Sequence, residues 1–281
     1  MVWLYIFMRC GNEVSKDRAL PDILGITATS LSAWSRCPRL YLNSYVLGTP
    51  RSDSSGSPDF GTFVHALMHR IHTSGSCHDA DHVRDVLESY GADTGVVPSM
   101  IERHAQRCPS ESAIMGKHEH QLARFHPGAP RFIASGRLDA IWRLDGVLEV
   151  RDYKTGGKAT ERVADDERAR LQAWLVAPIA SRLNLSLRIR YEHLAAEIDD
   201  EPDIFEPGDE ELEEIQEEIC ATVTAIRVAG QNLTRDGLNG DGFRGVSDPA
   251  ICGYCDYRSL CPDSAAPGVP TWPEPPEEDL T

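Results

Sequence analysis

The sequence predicts an α/β fold with a helical N-terminal part, an αβββαβ core and a cysteine-rich C-terminal segment. Three observations predict it. Two strand-like runs, residues 131–144 and 147–154, flank an Asp145-Gly146 pair, which is a strong short-range signal for a β-hairpin. Apolar residues before and after the hairpin recur at helical spacing. The 281 residues, 41% of them hydrophobic, can bury the core of one large domain or of two small ones.

The remaining elements are predicted from apolar periodicity and from the turn residues between periodic segments. Residues 60–71 carry an apolar stripe at helical spacing, and residues 209–227 begin with acid and carry an apolar face. We expect helices near residues 30–47, 60–73, 80–90, 97–108, 163–182 and 209–227, and strands near residues 117–125, 131–144, 147–154 and 185–194.

Composition divides the chain into three parts. Residues 1–24 are an uncertain leader: the opening MVWLYIFM is apolar, but it is too short to span a membrane and has no basic start or cleavage site. Residues 25–265 form the predicted domain. Residues 266–281 are rich in proline and acid, and we predict a disordered tail.

The net charge of −16 is concentrated in two segments. Thirteen acidic residues and no lysine or arginine lie in residues 197–218, and four more acids lie in residues 274–279, so the remainder carries +1. Contact with nucleic-acid phosphates normally requires a basic surface. Because the acid is segregated, composition does not exclude a nucleic-acid partner. Basic residues remain available near the predicted cleft: Arg36, Arg39, Arg137, Lys158, Arg168 and Arg170.

One face of the second hairpin strand, LEVRDYK, changes from apolar to ionic side chains along the strand. Leu148, Val150, Asp152 and Lys154 share that face because side chains alternate along a strand. A face that begins apolar and ends ionic fits a strand that runs from a core into a cleft. A salt bridge at a strand edge is the alternative, and exposed pairs of that kind contribute little.

Hairpin register brings a second carboxylate to the same place. Pairing about the two-residue turn sets Leu144 opposite Val147, and the same register sets Asp139 opposite Asp152. Neighbouring carboxylates repel unless a cation lies between them. The sequence therefore predicts a divalent metal at this end of the hairpin.

Three histidines follow the apolar stripe of the helix near residues 60–73. His65, His69 and His72 lie beyond the edge of the stripe, where a polar helix face is a more usual explanation than a zinc site. We predict that His69 and His72 are surface residues.

Cysteines form a second constellation. Cys252 and Cys255 are a C-x2-C pair, and Cys261 follows after five further residues, so three thiols make an incomplete tetrahedral site. A disulfide framework is disfavoured because no convincing secretion signal precedes it. Four other cysteines have no such spacing and are predicted to be ordinary free thiols: Cys10, Cys77, Cys108 and Cys220.

The motif GRLD (residues 136–139) followed by DYKTG (residues 152–156) resembles the PD-(D/E)XK nucleases, specifically their RecB-like branch. FGTFVH, ending at His65, is similar to the G-x-x-x-H form of the branch's upstream histidine. Gln172 matches a glutamine of the following helix, although Val176 stands where the family often has a tyrosine. The resemblance implies a restriction-endonuclease-like αβββαβ core. It also implies a site: metal ligands His65, Asp139 and Asp152, and catalytic residues Asp139, Asp152, Lys154 and Gln172.

RecB-like nucleases of the iron-sulfur type pair a distant N-terminal cysteine with a C-terminal C-x2-C-x5-C. Cys37 in SRCPRLY resembles that cysteine, so the resemblance implies a [4Fe-4S] cluster held by Cys37, Cys252, Cys255 and Cys261. Zn²⁺ is the alternative, but zinc ribbons usually have two close pairs, which this arrangement lacks. The cluster would close a very long loop and could contribute roughly 3 to 5 kcal/mol.

The chemistry of the paired carboxylates agrees with the family. Two carboxylates and phosphate oxygens suffice to hold Mg²⁺, and a histidine nitrogen shifts the preference toward Mn²⁺. A bound metal lowers the pKa of a water molecule, and Lys154 can orient that water or assist its deprotonation.

The resemblance implies a metal-dependent deoxyribonuclease that hydrolyses phosphodiester bonds. It favours an exonuclease on single-stranded DNA ends, similar to RecB-like exonucleases and CRISPR-associated spacer-processing nucleases. Such an enzyme is expected in the cytoplasm, in DNA repair, recombination or CRISPR adaptation, with a helicase or a CRISPR integrase as a partner and with no membrane contact. The alternative is a non-catalytic DNA-binding or assembly subunit that retains the fold and the cluster.

Overall fold

The computed structural model describes residues 20–50, 60–109, 120–156, 162–196, 203–231, 233 and 241–265. Most of the predicted leader (residues 1–19) and all of the predicted tail (residues 266–281) lie outside the described residues, as does Lys158. No described helix has the length and apolar character needed to cross a bilayer.

The N-terminal segment contains a strand that was not predicted, and a broken helix. Strand β1 (Leu24–Ile26) leads into α1 (Ala28–Arg36), whose first turn is closed by a capping box. The predicted helix over residues 30–47 does not continue through Cys37, which is extended (φ −167°, ψ 116°) because a proline follows it. The chain resumes as α2 (Pro38–Tyr41) and one π-helical turn over Leu42–Val46.

Three helices form the next layer, and all three were predicted. They are α3 (Phe60–Ser74), α4 (Ala80–Ser89) and α5 (Val97–Arg107). The Asp79 side chain caps α4 by accepting hydrogen bonds from the backbone N–H groups of Asp81 and His82. The apolar stripe of α3 is buried as expected from Val64 onward, because Val64, Leu67 and Ile71 have no exposed area, whereas Phe60 at its start is 46% exposed.

The strands form two sheets. The first has the order β1-β3-β2, with β2 (His120–His126) antiparallel and β1 parallel to β3 (Phe132–Leu138). The second has the order β4-β5-β6-β7: β4 (Ala140–Leu144), β5 (Val147–Lys154), β6 (Ser186–His193) and β7 (Asp203–Phe205). Strands β5 and β6 are parallel and are connected through α6 (Glu167–Leu183).

The predicted hairpin register is confirmed as far as Ala140, and the predicted pair of Asp139 with Asp152 lies beyond the end of the ladder. Leu144 pairs with Val147, and the ladder continues in step to Ala140 opposite Arg151. The prediction of one continuous strand over residues 131–144 is wrong, because the chain bends at Asp139 and passes from the first sheet to the second.

Two apolar clusters lie on opposite faces of the second sheet. Leu148 and Val150 belong to the larger cluster, together with residues of α6 and of α7 (Asp209–Gln231), the predicted acidic helix. Trp142 and Tyr153 belong to the smaller cluster, which includes residues of α3 and α5. The order of strands and helices is the mixed α/β, restriction-endonuclease-like arrangement that the sequence predicts, with β1 and β7 added.

The residue that ends α6, Asn184, has a left-handed backbone conformation whose energetic cost can be tested by substitution. Asn184 adopts the left-handed conformation there (φ 54°, ψ 47°), which an alanine tolerates at a cost of roughly 1–2 kcal/mol. We expect Asn184→Ala to lower the free energy of unfolding by about 1 kcal/mol in urea titrations. Ser181→Ala, at an exposed position inside the same helix, is the control and should not destabilise. Equal losses in both variants would contradict this account.

Candidate active site

Asp152 lies at the end of β5, and its carboxylate is surrounded by positive and polar groups. The side chain is 1% exposed. Its Oδ2 lies 2.8 Å from Lys154 Nζ, and its Oδ1 lies 2.8 Å from Arg168 Nη2. Gln172 Nε2 donates a hydrogen bond of 3.3 Å to the same Oδ1. Three predicted site residues therefore meet, together with Arg168, which was predicted only to lie near the cleft.

Asp139 lies at the bend between β3 and β4. It immediately precedes Ala140, whose pairing with Arg151 is the last of the hairpin ladder, so Asp139 lies just beyond the paired residues. Its Oδ2 accepts a hydrogen bond of 2.9 Å from the backbone N–H of Tyr153, and its Oδ1 lies 3.2 Å from His65 Nδ1. Beyond the end of the ladder the Tyr153 N–H has no backbone acceptor on β4. The Asp139 carboxylate takes that place, so the N–H keeps a hydrogen bond at the bend.

His65 lies between two oxygen acceptors. Its Nε2 is 2.7 Å from the carbonyl oxygen of Tyr153, and its Nδ1 faces Asp139. The hydrogen bond to Asp139 raises the pKa of His65, although burial opposes the shift. A metal bound by His65 would take the place of one ring proton.

Lys154 is held on both sides. Its ammonium group lies 3.9 Å from the centre of the Tyr191 ring, opposite the contact with Asp152, and its side chain is 27% exposed. Burial lowers the pKa of Arg168, but the carboxylates of Asp152 and Asp139 outweigh burial and raise it. Both cations therefore compensate the buried negative charge of Asp152.

Gln172 leaves one polar atom without a partner. Its side chain is 3% exposed, and Oε1 has no hydrogen bond among the described residues. Buried amide oxygens normally have a partner, so an oxygen in this state fits a bound ion or water. Val176, where the family often has tyrosine, is fully buried in the larger apolar cluster.

The side chains near the end of β5 are of the types that a hard divalent ion prefers: two carboxylates (Asp139 and Asp152), the imidazole of His65 and the amide oxygen of Gln172. Such oxygen-rich sets suit Mg²⁺, and the imidazole also suits Mn²⁺. In this structure Lys154 and Arg168 contact the two oxygens of Asp152, so an ion would have to displace them.

The four cysteines predicted to share a cluster line one cavity of about 170 Å³. Cys37 lies at the break between α1 and α2, and Cys252 ends α8 (Pro249–Cys252). Burial raises the pKa of the thiols of Cys255 and Cys261. The C-terminal segment is held against the N-terminal helices by Tyr257, whose hydroxyl donates a hydrogen bond of 3.1 Å to the carbonyl oxygen of Thr49.

A second cluster of histidine and cysteine was missed. The ligand atoms of His72, Cys77, His104 and Cys108 all lie within 4.8 Å of one another. His72, predicted to be a surface residue, is half-buried, and its Nε2 is directed inward, 2.9 Å from Nε2 of the fully buried His104. The spacings His72-x4-Cys77 and His104-x3-Cys108 were a signal of metal-ligand type that could have been noticed.

The basic residues predicted near the cleft divide into two groups. Arg39 is buried and forms an ion pair with Asp263, and Arg170 pairs with Glu218. Arg36 and Arg168 line an open groove of about 700 Å³ between α1 and the start of α6. The groove therefore adjoins Asp152 through Arg168.

Comparison with known proteins gives a family match and two distant structural similarities. No curated protein matches the chain. The crystal structure of a candidate exonuclease from Eubacterium rectale is 11% identical with a TM-score of 0.47, covering 73% of this chain and 80% of that one. The crystal structure of SSO0001 is 16% identical with a TM-score of 0.37, covering 85% of each chain.

The sequence model of the PD-(D/E)XK nuclease superfamily matches residues 25–262, which is most of the chain. The matched region contains the hairpin, α6 and all four candidate cluster cysteines. Members of this superfamily are nucleases that typically use divalent metals. The chain belongs to the PD-(D/E)XK nuclease superfamily.

Proposed function

We propose that this chain is a divalent-metal-dependent deoxyribonuclease of the RecB-like branch that hydrolyses phosphodiester bonds in DNA. One observation carries the proposal: Asp152 contacts Lys154 and Gln172, while Asp139, next in the hairpin register, contacts His65. Five residues of four types that phosphodiester hydrolysis can use thus lie at one end of β5. We also propose that residues 25–265 act as a single nuclease domain, between a leader and an acidic tail.

In this proposal Asp139, Asp152 and His65 hold Mg²⁺ or Mn²⁺. The ion would supply an acidified water and would stabilise negative charge on the phosphate. Lys154 is fixed by the Tyr191 ring and directs its ammonium group to the carboxylate end of β5, where it can orient the attacking water or assist its deprotonation. Gln172 Oε1 is left to accept a hydrogen bond from that water or to contact the ion.

Arg168 has two alternative partners in this proposal. In the structure its guanidinium pairs with Asp152, and it also borders the groove beside α1. A cation bound by Asp152 would displace the guanidinium, which could then bind a DNA phosphate across the groove.

We expect Arg168→Gln to raise the KM for DNA about tenfold, because one charged hydrogen bond to phosphate is lost. The same variant should bind Mn²⁺ at least as tightly as the parent, because a competitor for Asp152 is removed. Isothermal titration and initial-rate measurements separate the two effects. Arg162→Gln, which changes an exposed arginine paired with Asp165, is the control. Weaker Mn²⁺ binding together with an unchanged KM would contradict the proposed exchange.

We propose that Cys37, Cys252, Cys255 and Cys261 hold a [4Fe-4S] cluster. All four cysteines line one cavity of about 170 Å³, and one distant cysteine joined with three close ones is unlike the two close pairs of zinc ribbons, which supports the cluster. Anaerobically prepared protein should then be brown.

We propose exonuclease action on single-stranded ends. Support comes from the groove of about 700 Å³ that is lined by Arg168, the arginine paired with Asp152. Hydroxyl side chains of α1 and Arg36 also line it, as do three acidic residues: Asp165, Asp166 and Glu167. The test uses single-stranded and duplex DNA labelled at either the 5′ or the 3′ end, with Mg²⁺ or Mn²⁺. Stepwise shortening of the single strand is expected. Cleavage only inside the strand, or only of duplex, would overturn the exonuclease assignment but not the nuclease.

The second candidate is a non-catalytic DNA-binding or assembly subunit. The acidic face of α7 and the cluster segment favour a role in assembly, with a helicase or a CRISPR integrase as a partner in the cytoplasm, during repair, recombination or CRISPR adaptation. DNA binding without cleavage under every metal condition would favour this candidate.

A further inference from the structure

The cluster of His72, Cys77, His104 and Cys108 lies away from both sites described above. His72 belongs to the last turn of α3, Cys77 to the loop that follows, and His104 to the last turn of α5, which Cys108 ends. Each residue directs one nitrogen or sulfur atom to a common centre, and all four atoms lie within 4.8 Å of one another. Two nitrogens and two sulfurs therefore converge from two helices and their C-terminal ends.

The environment of His104 is that of a metal ligand held by a carboxylate. Its ring is fully buried, and Nδ1 lies 2.8 Å from Glu192 Oε1. The other oxygen of Glu192 accepts a hydrogen bond of 3.1 Å from Arg151, so Glu192 is fixed as an ionised acceptor. His104 Nδ1 must then donate, and Nε2 is directed toward the centre. Histidines that bind metals are commonly oriented by such a carboxylate.

We propose that His72, Cys77, His104 and Cys108 form a structural Zn²⁺ site. Tetrahedral zinc with two nitrogen and two sulfur ligands has edges of about 3.3 to 3.8 Å, close to the observed convergence. Four protein ligands leave no open position, which is the mark of a structural rather than a catalytic zinc.

Charge balance favours this occupant in a buried place. On binding, the protons carried by the ligand atoms pass to solvent, which leaves two thiolates and two neutral imidazoles. The two thiolates neutralise the ion, so the centre carries no net charge. Without zinc, two ring nitrogens face each other at 2.9 Å and need a shared proton between them.

The proposed ion would join α3 to α5 and, through Glu192, to β6. His65 precedes His72 by two turns on α3, so the same crosslink would hold His65 against Asp139. The zinc proposal does not depend on the proposed nuclease activity, and its readouts are metal content and ligand set.

The test uses the full chain, purified without a polyhistidine tag and with a reductant. Zinc content is measured by mass spectrometry, and the ligand set by X-ray absorption at the zinc edge. We expect one equivalent of zinc with two nitrogen and two sulfur neighbours. Cys108→Ser should lose that equivalent, and removal of zinc by a chelator should lower the melting temperature of the parent. Cys220→Ser, at a half-buried cysteine of α7, is the control and should keep the zinc.

Three outcomes would overturn the proposal. The first is a Cys77–Cys108 disulfide in protein purified without reductant, together with no zinc uptake after reduction. The second is a parent protein in which both thiols react with an alkylating agent while zinc is in excess. The third is zinc surrounded by sulfur alone. If Cys108→Ser does not fold, the deciding measurement is the absorption spectrum of the zinc-free parent after addition of Co²⁺. Bands typical of a tetrahedral site with two thiolates would support the proposal, and their absence would overturn it.

Discussion

Asp152→Asn is expected to lower the rate of DNA cleavage about a thousandfold, on the order of 4 kcal/mol of transition-state stabilisation. The amide keeps the size of the carboxylate but removes the charge that the proposed metal needs. Lys154 and Arg168 lose their shared counter-ion at the same time, but both reach solvent, so the fold should survive. The measurement is single-turnover cleavage of labelled single-stranded DNA in Mn²⁺.

The control for this variant is Asp85→Asn, which changes an exposed aspartate of α4 and should leave the rate unchanged. Circular dichroism and the melting temperature establish that each variant is folded. Cleavage by folded Asp152→Asn at the parent rate would remove Asp152 from the catalytic centre, and with it the assignment of the metal to the end of β5.

The site could be predicted from sequence to the extent that local geometry determines it. The Asp145-Gly146 turn sets the register as far as Ala140 opposite Arg151, which leaves Asp139 beside the end of β5, where its carboxylate accepts a hydrogen bond from the backbone N–H of Tyr153. The alternation of side chains along β5 correctly separates Leu148 from Tyr153. These inferences use only contacts between residues close in the chain, and such contacts follow from turn type and strand periodicity.

The parts that were missed depend on contacts between distant segments. Nothing near Arg168 indicates that it reaches Asp152, because the contact requires α6 to return across β5. Likewise His72 lies on the polar side of an apolar stripe and was predicted to be exposed, but α5 covers that side and brings His104 to it. Periodicity identifies the apolar face of a helix, but it does not tell which polar side chains a second helix will bury.

The break at Cys37 shows how a small local effect determines a distant contact. Pro38 disfavours the helical conformation at the preceding residue, so α1 ends before Cys37. The side chain of Cys37 then lines the cavity that it shares with the three C-terminal cysteines. The sequence contained the proline, but helical periodicity continued across it and suggested one helix. The proline is therefore as necessary to the candidate cluster as the thiol beside it.

Cys252→Ser is expected to abolish the visible absorption of anaerobically prepared protein and to lower the free energy of unfolding by roughly 3 to 5 kcal/mol, because the proposed cluster would close a loop of about 215 residues. Apart from the cluster, the described C-terminal segment is held by a few polar contacts, such as Tyr257 to Thr49 and Asp263 to Gly245, and by the burial of Phe243. Urea unfolding under anaerobic conditions measures the loss, and Cys220→Ser should cost less than about 1 kcal/mol. Limited proteolysis should cleave Cys252→Ser first in residues 241–265.

Two results would contradict the proposed cluster. If the parent protein is colourless and contains zinc bound by four sulfurs, the four cysteines bind a zinc ion and not an iron-sulfur cluster. If the parent contains neither iron nor zinc and is only as stable as Cys252→Ser, the four cysteines do not bind a common metal.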